Sequence, residues 1–454
     1  MFKIILIFNI GYLGADVFTV FSHNVNIVTE NGGNRCPKET VLNILNNREM
    51  TLTHYIKIIL NTYLMTLKDN SGIPRSMLLL MATMAGFTVA NCYYNQPLLE
   101  LISGDLHISH AQANLITVVT QIGYALGLFF IIPMGDLFSR RRIIIVNMLT
   151  AAVMALTISI AQSVWIIWFA SLAIGASSVI PQLFIPMAGQ FSEPKNKSRN
   201  MGIVLSGLLT GILASRVVSG FIGEWFGWRT MFVLAAVLMV VCLTVTLRML
   251  PDMKRNFSGS YAGLMHSVWR ILITHRQIRV NSIRAAFGFG SMLAIWSCMA
   301  FHLAQPPFFA GSDMVGMLGI CGIAGALLAG GMGKLVPVLG IKRFSMIGAA
   351  MQITAWAIAW LLRDGYIGLI LAVILVDIGL QCQQLSNQSG CIQAVPEAAN
   401  RANTIFMTTY FIGGSLGTFC AGMAWEHCGW AGVCTIGTLF AIASMCISLF
   451  ASHE

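Results

Sequence analysis

Charge is scarce in this chain. Charged residues make up 10% of its 454 residues, against 56% hydrophobic, where a soluble domain is roughly a quarter charged. A soluble fold of this length would need far more polar surface. Cys-x-x-Cys pairs are absent, and the 11 cysteines lie mostly inside apolar segments, as do Cys242, Cys298, Cys321, Cys382 and Cys446. Neither a zinc site nor a disulfide framework is indicated, so they read as small packing residues. There is no phosphate-cradling P-loop and no zincin histidine pair. No cofactor, no metal and no enzyme activity are expected, and any pumping must draw on an ion gradient. The formal net charge of +10 does not point to nucleic acid, because the basic residues sit in short loops between apolar runs.

What is present is a regular series of apolar runs. A spanning helix needs about 20 apolar residues. From Met77 on, spans are predicted near 77–101, 111–134, 143–161, 164–187, 201–222, 229–249, 282–304, 314–336, 344–362, 366–390, 403–425 and 430–450. The expected fold class is an all-α polytopic membrane protein of about twelve transmembrane helices in two six-helix halves. One set of loops is rich in Lys and Arg: Arg140, Arg141 and Arg142; Lys195, Lys197 and Arg199; Lys254, Arg255, Arg270, Arg276 and Arg279; Lys342 and Arg343; Arg401. The opposite set holds little beyond Arg229 and Arg363. The basic loops are expected in the cytoplasm, with both ends of the core. Together with the short loops, this suits a bacterial inner membrane.

The domain reading follows. Residues 1–75 form an atypical extension in which the apolar runs are short and interrupted, and Met65 opens a plausible start to the working fold. Residues 76–250 form one bundle, 251–280 a central loop, and 281–454 the second bundle. Within the loop, Gly263–Val280 mixes Leu264, Val268, Trp269 and Leu272 with Arg270, His275, Arg276 and Arg279. It suits either a helix on the anionic inner leaflet or a solvated basic linker.

The halves echo each other. Gly211, Ser215, Ser219, Gly220, Glu224, Gly227 and Trp228 face Gly413, Gly417, Ala421, Gly422, Glu426, Gly429 and Trp430, and every pair is offset by 202. Arg141 and Arg142 similarly stand opposite Lys342 and Arg343. Duplicated halves suit a machine that rocks one bundle against the other around a central site.

With these features in place, residues 77–450 resemble the major facilitator superfamily, and within it the proton-coupled drug antiporter branch. In the loop after span two, the family pattern G-x-L-x-D-R-x-G-R-R is matched at Asp136, Arg140 and Arg141. Ile132, Met134, Leu137 and Ser139 stand at its other fixed positions. The resemblance implies a cytoplasmic gate there; a topology anchor with a capping Asp is the plainer reading. In span five, the antiporter pattern G-x-x-x-G-P-x-x-G-G aligns with Gly211, Ser215, Arg216, Ser219 and Gly220, with Arg216 in place of proline. With Gly207 and Gly223, this gives a small residue every fourth position, a stripe on one face that lets helices approach closely. Gly227-Trp228-Arg229 looks like an outer-loop feature of the family. In span eleven, Gly413, Ser415 and Gly417 make a Gly-x-Ser-x-Gly match that lies on a helix, so it reads as packing.

Two charges lie at membrane depth, where charge is expensive and functional by default: Arg216 in span five and Asp377 near the middle of span ten. At 3.6 residues per turn, Asp377, Gln381, Gln384 and Gln388 share one face, which should face a cavity. Asp377 is a candidate proton-coupling carboxylate with Arg216 as its partner; a static structural pair is the alternative. Asn91, Tyr94, Asn95 and Gln96 before Pro97, and Gln182 between Pro181 and Pro186, are candidates for a substrate path. Individually they also suit packing or helix ends.

The expected function is secondary transport of a small organic molecule by alternating access, as proton-coupled efflux, working as a monomer in the lipid bilayer. An uptake symporter on the same fold and a non-transporting receptor are the competing readings.

Overall fold

The structure, a computed structural model, describes residues 69–251, 260–332 and 336–450, without the side chains of Asp136, 323–332 and 337. The extension up to residue 68 and positions 252–259 of the central loop, Lys254 and Arg255 among them, lie outside the described residues. All regular elements among the described residues are helices.

In the first half, span one comprises Arg75–Ala90, Gln96–Leu98 and Leu99–Leu106, and span two comprises His110–Leu126, Gly127–Ile131 and Ile132–Leu137. Span three is Arg140–Ile160, and span four is made of Val164–Ser177 and Pro181–Phe191. Spans five and six are Lys197–Phe226 and Trp228–Met249. In the second half, spans seven to ten are Arg276–Ala304, Ser312–Met332, Val336–Leu361 and Tyr366–Ala394. The last helix, Ala399–Phe450, is divided at Gly429 into spans eleven and twelve. Nine helices among the described residues are long and apolar enough to cross a membrane, and two shorter apolar helices, Arg75–Ala90 and Ser312–Gly322, belong to spans one and eight. With the division at Gly429, these make up the expected twelve.

Local chemistry sets the boundaries. Span two opens on a capping box, in which the Gln112 N–H donates to Ser109 Oγ and the Ser109 N–H donates to Gln112 Oε1. Proline at the first position of Pro181–Phe191 restarts span four after a break. The pseudo-repeat is visible at the turns. Gly227 (φ 83°) and Gly429 (φ 56°) both take the left-handed region that favours glycine, and they separate spans five from six and eleven from twelve. Each is followed by a tryptophan that ties the turn down: Trp228 Nε1 donates to Asp105 and Trp430 Nε1 to the Ala359 carbonyl.

Within each half, small residues bring helices together. Span five crosses span one where Gly207 meets Ala82 and Gly211 meets Gly86; a Cβ at either glycine would stand 2.2 Å from the facing carbonyl oxygen. Span eleven crosses span seven in the same way, Gly413 on Ala286 and Gly417 on Gly290. Ser215 and Ser219 return their hydroxyls to carbonyls of their own helix, those of Ile212 and Arg216. Gly220 packs between the halves, against Ser312 and Gly316 of span eight.

The central loop contains a helix, Tyr261–Thr274, which ends six residues before Val280, the end of the amphipathic stretch; from Arg276 on, that stretch already belongs to span seven. It is neither a bare linker nor a helix resting only on lipid. Leu264, Val268 and Ile271 are buried against the core, Trp269 and Ile273 are exposed, and the Tyr261 hydroxyl donates to the Phe130 carbonyl. Arg279 closes its C-terminal end by donating to the Leu272 and Ile273 carbonyls.

Candidate functional site

Span ten places its polar stripe on one wall of a cavity between the halves, of about 140 Å³. Asp377, Gln381, Gln384 and Gln388 all line it, because positions three and four apart fall on one helix face. Span five contributes Arg216 and span four Gln182, and the remaining wall is apolar, aliphatic side chains such as Leu208, Ile212 and Met292 together with the aromatic Tyr93, Tyr124, Phe289, Tyr410 and Phe411. Phe289 and Tyr410 stack in parallel at 4.0 Å. Tyr410 donates from its hydroxyl to Gln384 Oε1 at 3.2 Å, and Gln388 donates to Asn403 at 2.8 Å. Such a wall offers apolar bulk with a few placed polar groups, the usual make-up of a small-molecule site.

The two buried charges are joined indirectly. Arg216 is 2% exposed and Asp377 9%. The Arg216 guanidinium lies over the ring of Trp296 of span seven, 4.1 Å from its centroid, and near Tyr93 at 5.3 Å. Trp296 Nε1 in turn donates to Asp377 Oδ1 at 3.4 Å. Arg216 Nε donates to Gln96 Oε1 at 2.8 Å. The two charges singled out in the sequence are thus linked through Trp296, in an Arg–Trp–Asp relay across three helices of both halves. Trp296 was not singled out in the sequence, where it is one aromatic in an apolar run. Gly322 of span eight lets Asp377 in, since a Cβ there would stand 2.8 Å from Asp377 Oδ2.

Of the other path candidates, Asn91, Tyr94, Asn95 and Gln96 are all buried and none lines the cavity directly; Gln96 bonds to Arg216, which does. The break in span one frees polar groups that must be satisfied locally. Asn91 Nδ2 donates to the Thr88 carbonyl and Asn95 Nδ2 to Thr120 of span two.

At the basic end of the bundle, Arg140 donates to the Gly135 carbonyl and to Gln190, and Arg141 to the Leu247 carbonyl. Both tie spans of the first half together. The Asp136 side chain is outside the described ones. A second cavity of about 60 Å³ lies beside this loop, lined by Gly135, Arg140, Leu264, Val268, Arg401 and Thr404 among others. It shares Gln182 and Met407 with the central cavity, so the two adjoin on the side of the basic end.

The far end is closed by two contacts that the repeat relates. Glu224, at the end of span five, accepts from the Ser312 N–H at 2.8 Å and the Ser312 hydroxyl at 3.2 Å, in the first turn of span eight. Glu426, at the end of span eleven, accepts from the Ala111 N–H at 2.7 Å, in the first turn of span two. Each carboxylate thus caps the positive end of a helix in the opposite half. Asn114 adds a bond to the Thr418 carbonyl at 2.7 Å. Each exposed cap is worth about 1 kcal/mol after solvent screening, or about fivefold in a conformational equilibrium. Replacing both Glu224 and Glu426 by Ala is therefore expected to open the far end in a larger share of molecules. Spin labels at the exposed positions Gln162 and Asp364 should then show a longer distance between halves. An unchanged distance distribution would remove the latch role.

The family model described as Major Facilitator Superfamily matches residues 77–418. An uncharacterized transporter of Escherichia coli O157:H7, YgaY, is 33% identical over 380 residues, covering 84% of this chain and 96% of its own. A probable transporter of Streptomyces coelicolor, SCO4007, is 31% identical over 372 residues, covering 81% and 86%. Among solved structures, the nucleoside transporter NupG aligns with a TM-score of 0.64 at 16% identity, over 83% of this chain and 98% of that one. A bacterial homolog of the human lysosomal transporter Spinster, inward-facing and unoccupied, aligns at 0.63 and 17%, over 83% and 94%. At these identities the two structures share the fold.

Proposed function

The chain belongs to the major facilitator superfamily of multi-pass membrane transporters, and from that premise we propose that it exports a small organic molecule in exchange for protons, by alternating access. The observation that carries this reading is the buried Asp377 on the wall of the cavity between the halves, held by Trp296 and not by a direct ion pair. A carboxyl group in such a place can release its proton to water when a cationic group of a substrate binds beside it, and take one up again when the substrate leaves, because desolvation and nearby charge set its protonation. The basic end faces the cytoplasm in this reading, by the distribution of Lys and Arg, with a bacterial inner membrane as the setting. The cavity then opens to the cytoplasm while Glu224 and Glu426 hold the outer side shut. Rocking of the halves about the Arg216–Trp296–Asp377 relay would exchange the two openings. Arg140 and Arg141 brace the gate loop on the inner side.

The test is luminal pH in everted vesicles carrying the full chain, energised and then challenged with a panel of amines, cationic drugs and small metabolites. Export by exchange predicts proton release from the lumen on adding a substrate. Protons moving with the compound would mark a symporter instead, and binding without flux a receptor.

A further inference from the structure

Arg216 has more hydrogen-bonding capacity than its neighbours use. The guanidinium is buried, its faces are taken up with Trp296 and Tyr93, and its Nε is spent on Gln96. Among the described residues Nη2 has no partner, nor does the adjacent Gln96 Nε2. Arg216 makes no direct salt bridge among those residues either: Asp377 attracts it from nearby but does not contact it, and accepts from Trp296. Buried polar groups are almost always bonded, and leaving them open is costly. Aromatic faces steady the charge of a guanidinium but cannot satisfy the donors in its plane. What remains is the planar edge that matches a carboxylate with two parallel bonds, with an amide donor beside it.

We propose that Arg216 and Gln96 form an anion subsite that takes the carboxylate of the transported molecule. Resting on the export reading, in which Asp377 meets a cationic group, the molecule is a zwitterion, an amino carboxylate. A bare anion would be repelled by Asp377 in its charged form, and a bare cation would leave Arg216 Nη2 without an acceptor. The aromatic wall of Tyr124, Phe289, Tyr410 and Phe411 suits a small apolar or aromatic body between the two charged ends.

Thermal unfolding of the purified full chain tests this with three probes: phenylalanine, phenylalaninamide, which lacks the carboxylate, and N-acetylphenylalanine, which lacks the cation. Phenylalanine is expected to stabilise the wild type, and the amide to bind at least about tenfold more weakly, as for the loss of a hydrogen bond to a charged group. In Arg216→Gln the acid and the amide should become equal; Arg216→Lys, which keeps the charge without the fork, should show an intermediate preference. Gln96→Leu should reduce the preference in a chain whose guanidinium is intact, so that a folding defect in the Arg216 variants does not decide the matter. An amide that matches the acid in the wild type, an acid preference that survives in Arg216→Gln, or no stabilisation by any carboxylate would overturn the subsite. N-acetylphenylalanine matching phenylalanine would overturn the zwitterion, and with it the use of Asp377 in export, while leaving the anion subsite standing. Binding at equilibrium needs no flux, so a failed vesicle experiment does not alter this result.

Discussion

Asp377→Asn is expected to leave exchange of labelled for unlabelled substrate running and to abolish uphill movement driven by a pH gradient. The carboxamide has the shape of the carboxylate, and its oxygen can still accept from Trp296 Nε1, the bond that Asp377 makes at 3.4 Å. Packing around Gly322, whose Cβ position lies 2.8 Å from Asp377 Oδ2, is likewise kept. Stability should therefore change by no more than about 1 kcal/mol, the usual worth of one hydrogen bond. What is lost is the group that gains and loses a proton. A transporter without it can still rock with substrate bound, but the gradient no longer biases the direction, because a ligand shifts an equilibrium only by its differential affinity for the two states. Accumulation should fall to equality on the two sides while exchange continues. Full pH-dependent accumulation in Asp377→Asn would remove the coupling role and leave Asp377 as part of a static brace between spans seven, eight and ten.

The second large effect is structural. Gly211→Leu and Gly417→Leu should each cost most of the chain's stability or prevent its folding. A Cβ at Gly211 would stand 2.2 Å from the Gly86 carbonyl oxygen and 2.3 Å from its Cα, and one at Gly417 stands 2.2 and 2.4 Å from the same atoms of Gly290. The obstacle in both cases is backbone, so no side chain can turn aside. Overpacking ordinarily costs about 1–3 kcal/mol and occasionally more, and separating two helices along a crossing belongs at the upper end. Gly202→Ala, in the same helix as Gly211 but with open space around its Cβ position, should be neutral or stabilise by up to about 1 kcal/mol. Thermal unfolding in detergent separates these outcomes. A Gly211→Leu protein as stable as the wild type would show that the crossing does not hold the first half together.

Much of this fold could be read from residue order because lipid imposes simple rules. Long apolar runs, sparse charge and basic loops revealed the spans, and the 202-residue offset revealed the halves. The same scarcity of charge exposed Arg216 and Asp377, which no apolar span carries without reason. Three things were hidden. Trp296 joins the two charges, yet one aromatic in an apolar helix carries no signal until three helices are seen together. Asn91 and Asn95 had the composition of a substrate path, but the break before Pro97 uses them to satisfy backbone and neighbouring helices. Glu224 and Glu426 were visible as a repeated pair, while their role as caps depends on which helix start in the other half lies within reach. Side-chain type and spacing foretell a face of one helix; the partner across a bundle comes only from the packing of all of them.

Whether Asp377 links proton to substrate is tested most directly by proton release on substrate binding to the purified full chain, followed with an indicator dye in weak buffer. It needs no membrane and no gradient, only the cavity and its carboxylate. Protons are expected to be released when a substrate from the vesicle panel binds the wild type, and none when the same compound binds Asp377→Asn. Binding without proton release in the wild type, or equal release in both, would contradict the assignment of Asp377 as the group that links the proton to the substrate.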